Sequence, residues 1–208
     1  MGSKNKKITE IGGKTLLPKP VEPIYEEGNL TDVLTHLNLF SAKDCAQIIK
    51  EHSPEKWGES IIDHPETGDR LRQCKNWAID STSEEGLGIY NRVMQVVAAA
   101  NDMNYHFALD YVVEVQLTKY EAGDFHKIHF DCGANEFGNR KLSCIVNLSS
   151  TLERIGGDLI IPIGNFTATR EVGGVTIFPS YIASEVTPVT KGTLYQLVAW
   201  VGGIHRFK

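Results

Sequence analysis

The chain has 208 residues, a net charge of −5, and hydrophobic and charged fractions of 41% and 23%, the profile of a globular protein with enough residues for one sizeable core. The acidic balance disfavours a general nucleic-acid-binding surface, and no apolar run approaches the ~20 residues of a membrane helix. The four cysteines, Cys45, Cys74, Cys132 and Cys144, form no CxxC pair and follow no export signal, so reduced thiols are expected rather than disulfides or a zinc site.

Residues 1–30, rich in Lys, Gly and Pro, lack a helix or strand period and are predicted to form an extended arm. Such an arm either packs along its own domain or lies on a neighbouring subunit or protein partner. "VLTHLNLF" reads as a strand. Ser41 with Asp44 three residues on resembles a capping box, predicting a helix from Ala42 to about His52. The segment "KEHSPEKWGESIIDHPETGDRLRQCK" carries no decisive signal, and "NWAID" reads as a short strand. Leu87, Tyr90, Val93, Val97 and Ala100 recur at helical spacing, so a second helix is expected over Glu84–Asn101 with those residues buried.

From Phe107 the period changes to two. "FALDYVVEVQLTKY", "KLSCIVNLSS", "GDLIIPI", "GGVTIFPS", "ASEVTPVT" and "LYQLVAWV" read as strands, separated by Gly-containing turns. The sequence therefore predicts an arm (1–30), a helical support region (31–106) and a β core (107–208), with helices backing a sandwich or barrel.

The chemistry-bearing stretch is "YEAGDFHKIHFDCG". Residues i and i+2 of a strand share a face, so His129 and Asp131 can converge on a metal. With a third, distant His they would make the two-His-one-carboxylate face that suits non-haem Fe(II). Without one, the pair is equally a hydrogen-bonded His–Asp couple at a strand end.

The ordered series around that pair resembles the 2-oxoglutarate/Fe(II) dioxygenases, in the prolyl 4-hydroxylase and PKHD-type branch. It runs from Asp110 to Gly203: Tyr120, the turn at Gly123, His129 and Asp131, Arg140 before "KLSCIVNL", "IGGDLIIP", Phe178-Pro179-Ser180, "PVTKG" and "VAWVGG". The resemblance implies an α+β protein whose core is a double-stranded β-helix, a jelly-roll barrel, with Fe(II) and 2-oxoglutarate at one end. It implies iron on His129 and Asp131, and Tyr120 beside the 2-oxoglutarate.

The match breaks at two places fixed by independent anchors. Four residues before Pro188, where the family carries its distal iron His, stands Ser184. Two residues after Gly192, where it carries the Arg or Lys that pairs with the 2-oxoglutarate tail, stands Leu194. A neutral hydroxyl is a weak Fe(II) donor beside imidazole, and leucine cannot pair with a carboxylate. Substitutes from the sequence are Glu185, turned inward by a bulge, and Lys141 as an alternative base. His126 is expected to face away from His129, and His205, Arg170 and Lys191 to lie at the surface. Trp200 is read as core, and Trp57 and Trp77 as packing residues. The expectation is a degenerate, non-catalytic dioxygenase-like protein with weak or absent metal binding, used as a structural or assembly module through its arm. It would be cytoplasmic, or part of a virion if the chain is phage-derived. The alternative is an active Fe(II)- and 2-oxoglutarate-dependent hydroxylase with substitute ligands.

Overall fold

The computed structural model describes residues 29–36, 38–51, 57–150, 152 and 154–204, together with the short pair β1 (Glu10–Ile11) and β2 (Lys14–Thr15). Most of the expected arm, as well as His205, lies outside the described residues. The first piece after the arm is β3 (Leu34–His36), followed by helix α1 (Ala42–Glu51). The capping box forms as expected: the Ser41 amide donates to Asp44 Oδ2 and the Asp44 amide to Ser41 Oγ, each at 3.1 Å.

The indecisive segment becomes a hairpin, β4 (Gly58–Asp63) with β5 (Arg70–Ala78). The region before residue 107 thus supplies strands to the main sheet as well as helices. Helix α2 (Glu84–Ala100) starts at Ser83, whose hydroxyl accepts from the Gly86 amide. Its buried stripe is Ile89, Val93, Val97 and Ala100, while Leu87 is 51% exposed. Val93, Val97 and Ala100 are buried as expected, but the first turns of the stripe are offset: Gly86 packs so closely on the Asp80 carbonyl that the helix presents positions 86, 89 and 93 inward.

The remaining strands are β6 (Tyr111–Tyr120), β7 (Phe125–His129), β8 (Arg140–Asn147), β9 (Ile155–Gly156), β10 (Leu159–Ile161), β11 (Phe166–Thr167), β12 (Val175–Pro179), β13 (Ser184–Val186), β14 (Val189–Lys191) and β15 (Leu194–Gly202). The expected strand over 183–190 is two, broken around Thr187 and Pro188 because proline cannot donate to a ladder. The main sheet is antiparallel, in the order β11-β10-β13-β7-β5-β6-β15-β8-β12-β3 with β4 outside β5, and β14 pairs β9. It curls, since β5, β6, β7, β8, β10, β13 and β15 all line one cavity.

Alternation along the strands divides two cores. On the outer face, Val115 and Leu117 of β6, Cys144 and Val146 of β8, and Leu197 and Ala199 of β15 pack with Cys45, Ile48, Ile89, Val93 and Val97 of the helices. Trp57 and Trp77 pack against this same cluster. On the inner face Cys74, Tyr120, Ile145, Leu159, Ile161, Phe178, Val186 and Leu194 form a second cluster, beneath the cavity. Gly173 joins the helical layer to the barrel. Its φ is +77° and its carbonyl accepts from the Leu39 amide at 2.8 Å. A Cβ there would stand 1.8 Å from the Phe40 carbonyl oxygen, so only glycine fits.

Candidate functional site

The cavity at the open end of the curled sheet has a volume of about 500 Å³. Tyr120, His126, His129, Asp131, Ser184 and Trp200 are among its walls. His129 ends β7 and Asp131 follows it, as i and i+2 of an extended chain on one face. His129 Nε2 lies 3.5 Å from Asp131 Oδ1. Its Nδ1 is 2.9 Å from the Lys127 carbonyl oxygen. A carbonyl only accepts, so Nδ1 carries the proton. In the neutral ring, Nε2 therefore presents a lone pair to a carboxylate oxygen, an arrangement that calls for a proton or a cation between them.

Asp131 is supported from behind. Ser143 Oγ donates to its Oδ2 at 2.7 Å, and Ser180, from the Phe-Pro-Ser motif, stands 2.9 Å beyond Ser143 Oγ. The Ser180 carbonyl also accepts from the amides of Asp131 and Cys132. Burial alone would raise the Asp131 pKa, but His129, the Ser143 hydroxyl and the Trp200 indole N–H outweigh it and hold the carboxyl below its usual range.

Ser184 faces His129 directly across the β13–β7 pair and is 3% exposed. Leu194 stands opposite Tyr120 in the β15–β6 pair and is fully buried. The two residues that the resemblance sets at the distal ligand and the base thus stand beside His129 and Tyr120 respectively. Among the described residues, no group of three His, Cys, Asp or Glu side chains is arranged to hold a metal ion. The residues present therefore fit two of the three donors that Fe(II) requires, and none of the basic partners at position 194.

Two bulges overturn two expectations. Two steps along β13, from Ser184 to Val186, match three along β7, from His129 to His126. The extra residue rotates His126 into the cavity, where its ring stacks on His129 at 3.4 Å. Burial, then His129 and Arg72, push the His126 pKa down to about 2, so the ring is neutral. The second bulge lies between β15 and β8, where Val201 pairs Leu142 but Gly202 pairs Arg140. The skipped residue, Lys141, is thrown out of the inward alternation. Its Nζ donates to the Ala108 carbonyl at 2.7 Å, so it does not serve as the alternative base.

Arg140 turns inward instead. Its guanidinium sits 3.6 Å from the Trp200 ring centroid and 4.6 Å from that of Phe137. Glu114 Oε2 lies 3.8 Å from its Nη2. Glu185 is not a wall of the cavity, and Arg170 pairs with Asp158. Arg154 and Leu194 both approach Gly157. A Cβ placed on Gly157 would meet Arg154 Nη1 at 2.8 Å and Leu194 Cδ2 at 3.2 Å. That nitrogen already donates to the carbonyls of Gly156 and Gly157, at 2.8 and 2.6 Å.

Sequence reasoning missed three cavity residues: Arg72, Arg140 and Trp200. Arg72 shares an inner face with Cys74 at strand spacing, a signal that "RLRQCKNW" does carry once it is read as a strand. Trp200 is buried, as the sequence leads one to expect, but it also walls the cavity.

No family model matches the chain. Two curated relatives do. A PKHD-type hydroxylase of Synechococcus is 28% identical over 176 residues, 82% of this chain and 78% of that protein. A PKHD-type hydroxylase of Idiomarina loihiensis is 26% identical over 92 residues, 43% of this chain and 42% of that protein. Among solved structures, a Pseudomonas putida prolyl-4-hydroxylase superposes with a TM-score of 0.65 at 16% identity, covering 84% of this chain and 94% of that one. A viral collagen prolyl hydroxylase of Paramecium bursaria Chlorella virus-1, solved as a 2-oxoglutarate complex, superposes with a TM-score of 0.61 at 13% identity, covering 83% and 96%.

Proposed function

We propose that this chain, which has the fold of the 2-oxoglutarate/Fe(II) oxygenases and PKHD-type hydroxylases among its relatives, is a non-catalytic form of that barrel. The observation that carries the reading is the pairing of Ser184 with His129. The position where a third donor should complete the iron face holds a buried neutral hydroxyl. Leu194 opposite Tyr120 supports it independently, because a buried carboxylate without a cationic partner is strongly disfavoured. The Ser180–Ser143–Asp131 support then serves to stabilise a buried carboxylate rather than to aim a metal ligand.

In this reading the barrel is a rigid module. The Lys-, Gly- and Pro-rich residues 1–30 attach it to a neighbouring subunit or a larger assembly, such as a virion. The direct test is turnover: purified protein with Fe(II), ascorbate and 2-oxoglutarate yields no more succinate than its His129→Ala variant. Succinate formation above that control overturns the reading. Deleting residues 1–28 abolishes association with the partner, and an unchanged oligomeric and binding state would count against the attachment role.

One observation favours the alternative of an active hydroxylase. The bulge in β7 delivers a second imidazole, His126, beside His129. In that case Co(II) titration of the His126→Ala variant loses affinity in step with activity. In the non-catalytic reading there is no activity to lose.

A further inference from the structure

A second, much smaller cavity lies inside the barrel where β8 ends at Asn147. Thr176 of β12 and Gln196 of β15 wall it, each two residues from a member of the inner cluster, Phe178 and Leu194. Arg154, Asp158 and Arg170 complete its polar wall, and neither Tyr120 nor Leu194 belongs to it. Its volume is about 10 Å³, room for one water-sized guest and for no carbon skeleton.

Charge is out of balance there. Arg154 is 5% exposed, and its Nη1 donates only to the Gly156 and Gly157 carbonyls. Its Nε is buried without a hydrogen-bond partner. Among the described residues its Nη2 makes no hydrogen bond, and no carboxylate reaches ion-pair distance of the guanidinium. Asp158, on the same wall, is taken by Arg170 through Nε and Nη2. Burial, then Arg170, works against the Arg154 charge, and Asp158 offsets this only in part. Two guanidiniums and one carboxylate leave one positive charge in excess, and a buried charge without a counter-charge is strongly disfavoured. Two neutral donors stand at the same cavity. The Thr176 hydroxyl and the Gln196 amide are on residues 1% and 4% exposed, and among the described residues neither makes a hydrogen bond. Buried polar groups of this kind call for a partner. A water answers the hydrogen bonds but not the charge.

We propose that this cavity binds one small inorganic anion of chloride size, with Arg154 as its cation and the Thr176 hydroxyl and Gln196 amide as neutral donors. The ion ties the segment that carries Arg154 to β12 and β15, and so stabilises the folded barrel by mass action. The inference does not depend on whether the barrel turns over, because His129 and Asp131 belong to the larger cavity.

The test is a titration of the full chain with sodium chloride, starting from sodium gluconate at constant ionic strength. Binding is followed by the line width of chloride NMR and by thermal melting. Wild type broadens the chloride line saturably and melts higher in chloride. Arg154→Gln weakens binding by about tenfold or more, the worth of a hydrogen bond to a charged group. Thr176→Val, which removes one neutral donor, weakens it by about twofold to tenfold. Iodide, being larger, competes less well than chloride. Absent or unsaturable broadening, unchanged affinity in Arg154→Gln, or iodide competing as well as chloride overturns the proposal. Displacement of chloride by succinate in place of gluconate would join the site to the larger cavity, and overturns it too. If Arg154→Gln fails to fold by circular dichroism, Thr176→Val decides alone, and affinity equal to wild type overturns the proposal.

Discussion

Replacing Ser184 by histidine should turn a two-donor pair into a three-donor metal face. Ser184 and His129 are directly opposite in an antiparallel pair, where facing Cβ atoms stand ~4.5–5.5 Å apart. An imidazole at 184 therefore projects towards the region shared by His129 Nε2 and Asp131 Oδ1, which are 3.5 Å apart. Ligand bonds of about 2.0–2.2 Å let one cation contact both of those atoms. Ser184 walls the cavity, and among the described residues its hydroxyl makes no hydrogen bond, so the substitution breaks none and has space to fill. Outer partners of metal ligands alone are typically worth about 10–100-fold in affinity. A direct third donor should then give about 100-fold or more, equivalent to ~2.7 kcal/mol. The assay is Co(II) titration by visible absorption, comparing wild type, Ser184→His and Ser184→His with His129→Ala. The reasoning is refuted if wild type binds as tightly as Ser184→His, or if the gain survives removal of His129.

Further outcomes follow from the same geometry. His126 titrates near 6.5 when unfolded but is held down to about 2 when folded. The unfolded state thus takes up the proton first, and stability, complete above about pH 6.5, falls on acidification by at most ~1.4 kcal/mol per pH unit. Thermal melts at pH 7 and pH 5 should differ more for wild type than for His126→Gln, and equal differences would refute the assignment. Ser143→Ala removes the donor that joins Asp131 to Ser180, and should cost about 1–3 kcal/mol in denaturant unfolding. A loss within experimental error would show that Asp131 needs no such support. Gly173→Ala drives a methyl group into the Phe40 carbonyl at a positive φ, and should cost of order 3 kcal/mol, or prevent folding. A melting midpoint equal to wild type would mean that the α1–barrel junction shifts without penalty.

Much of the architecture was legible because its signals are local. The Ser41–Asp44 box, the period of two after Phe107 and the Gly turns depend on neighbouring residues alone. Ser184 and Leu194 are placed in the sequence by short anchors, Pro188 and Gly192, and the structure sets them opposite His129 and Tyr120. The β4–β5 hairpin was not, since its outer strand is exposed at most positions and shows no alternation. The offset of the α2 stripe depends on a contact between Gly86 and Asp80 that no periodicity contains.

The sequence by itself determined the kind of barrel and set His129, Asp131, Ser184 and Leu194 at counted spacings within it. These follow from residue identity and short anchors. Only the tertiary structure decided what surrounds the His129–Asp131 pair. Two bulges, each one residue of slip, turned His126 and Arg140 into the cavity and Lys141 out of it. The pairing of β5 with β7 brought Arg72 opposite His126 from 54 residues upstream. A strand reverses every side chain when its register slips by one. Which residues face a site is thus a property of strand partners, and a single chain read alone does not contain it.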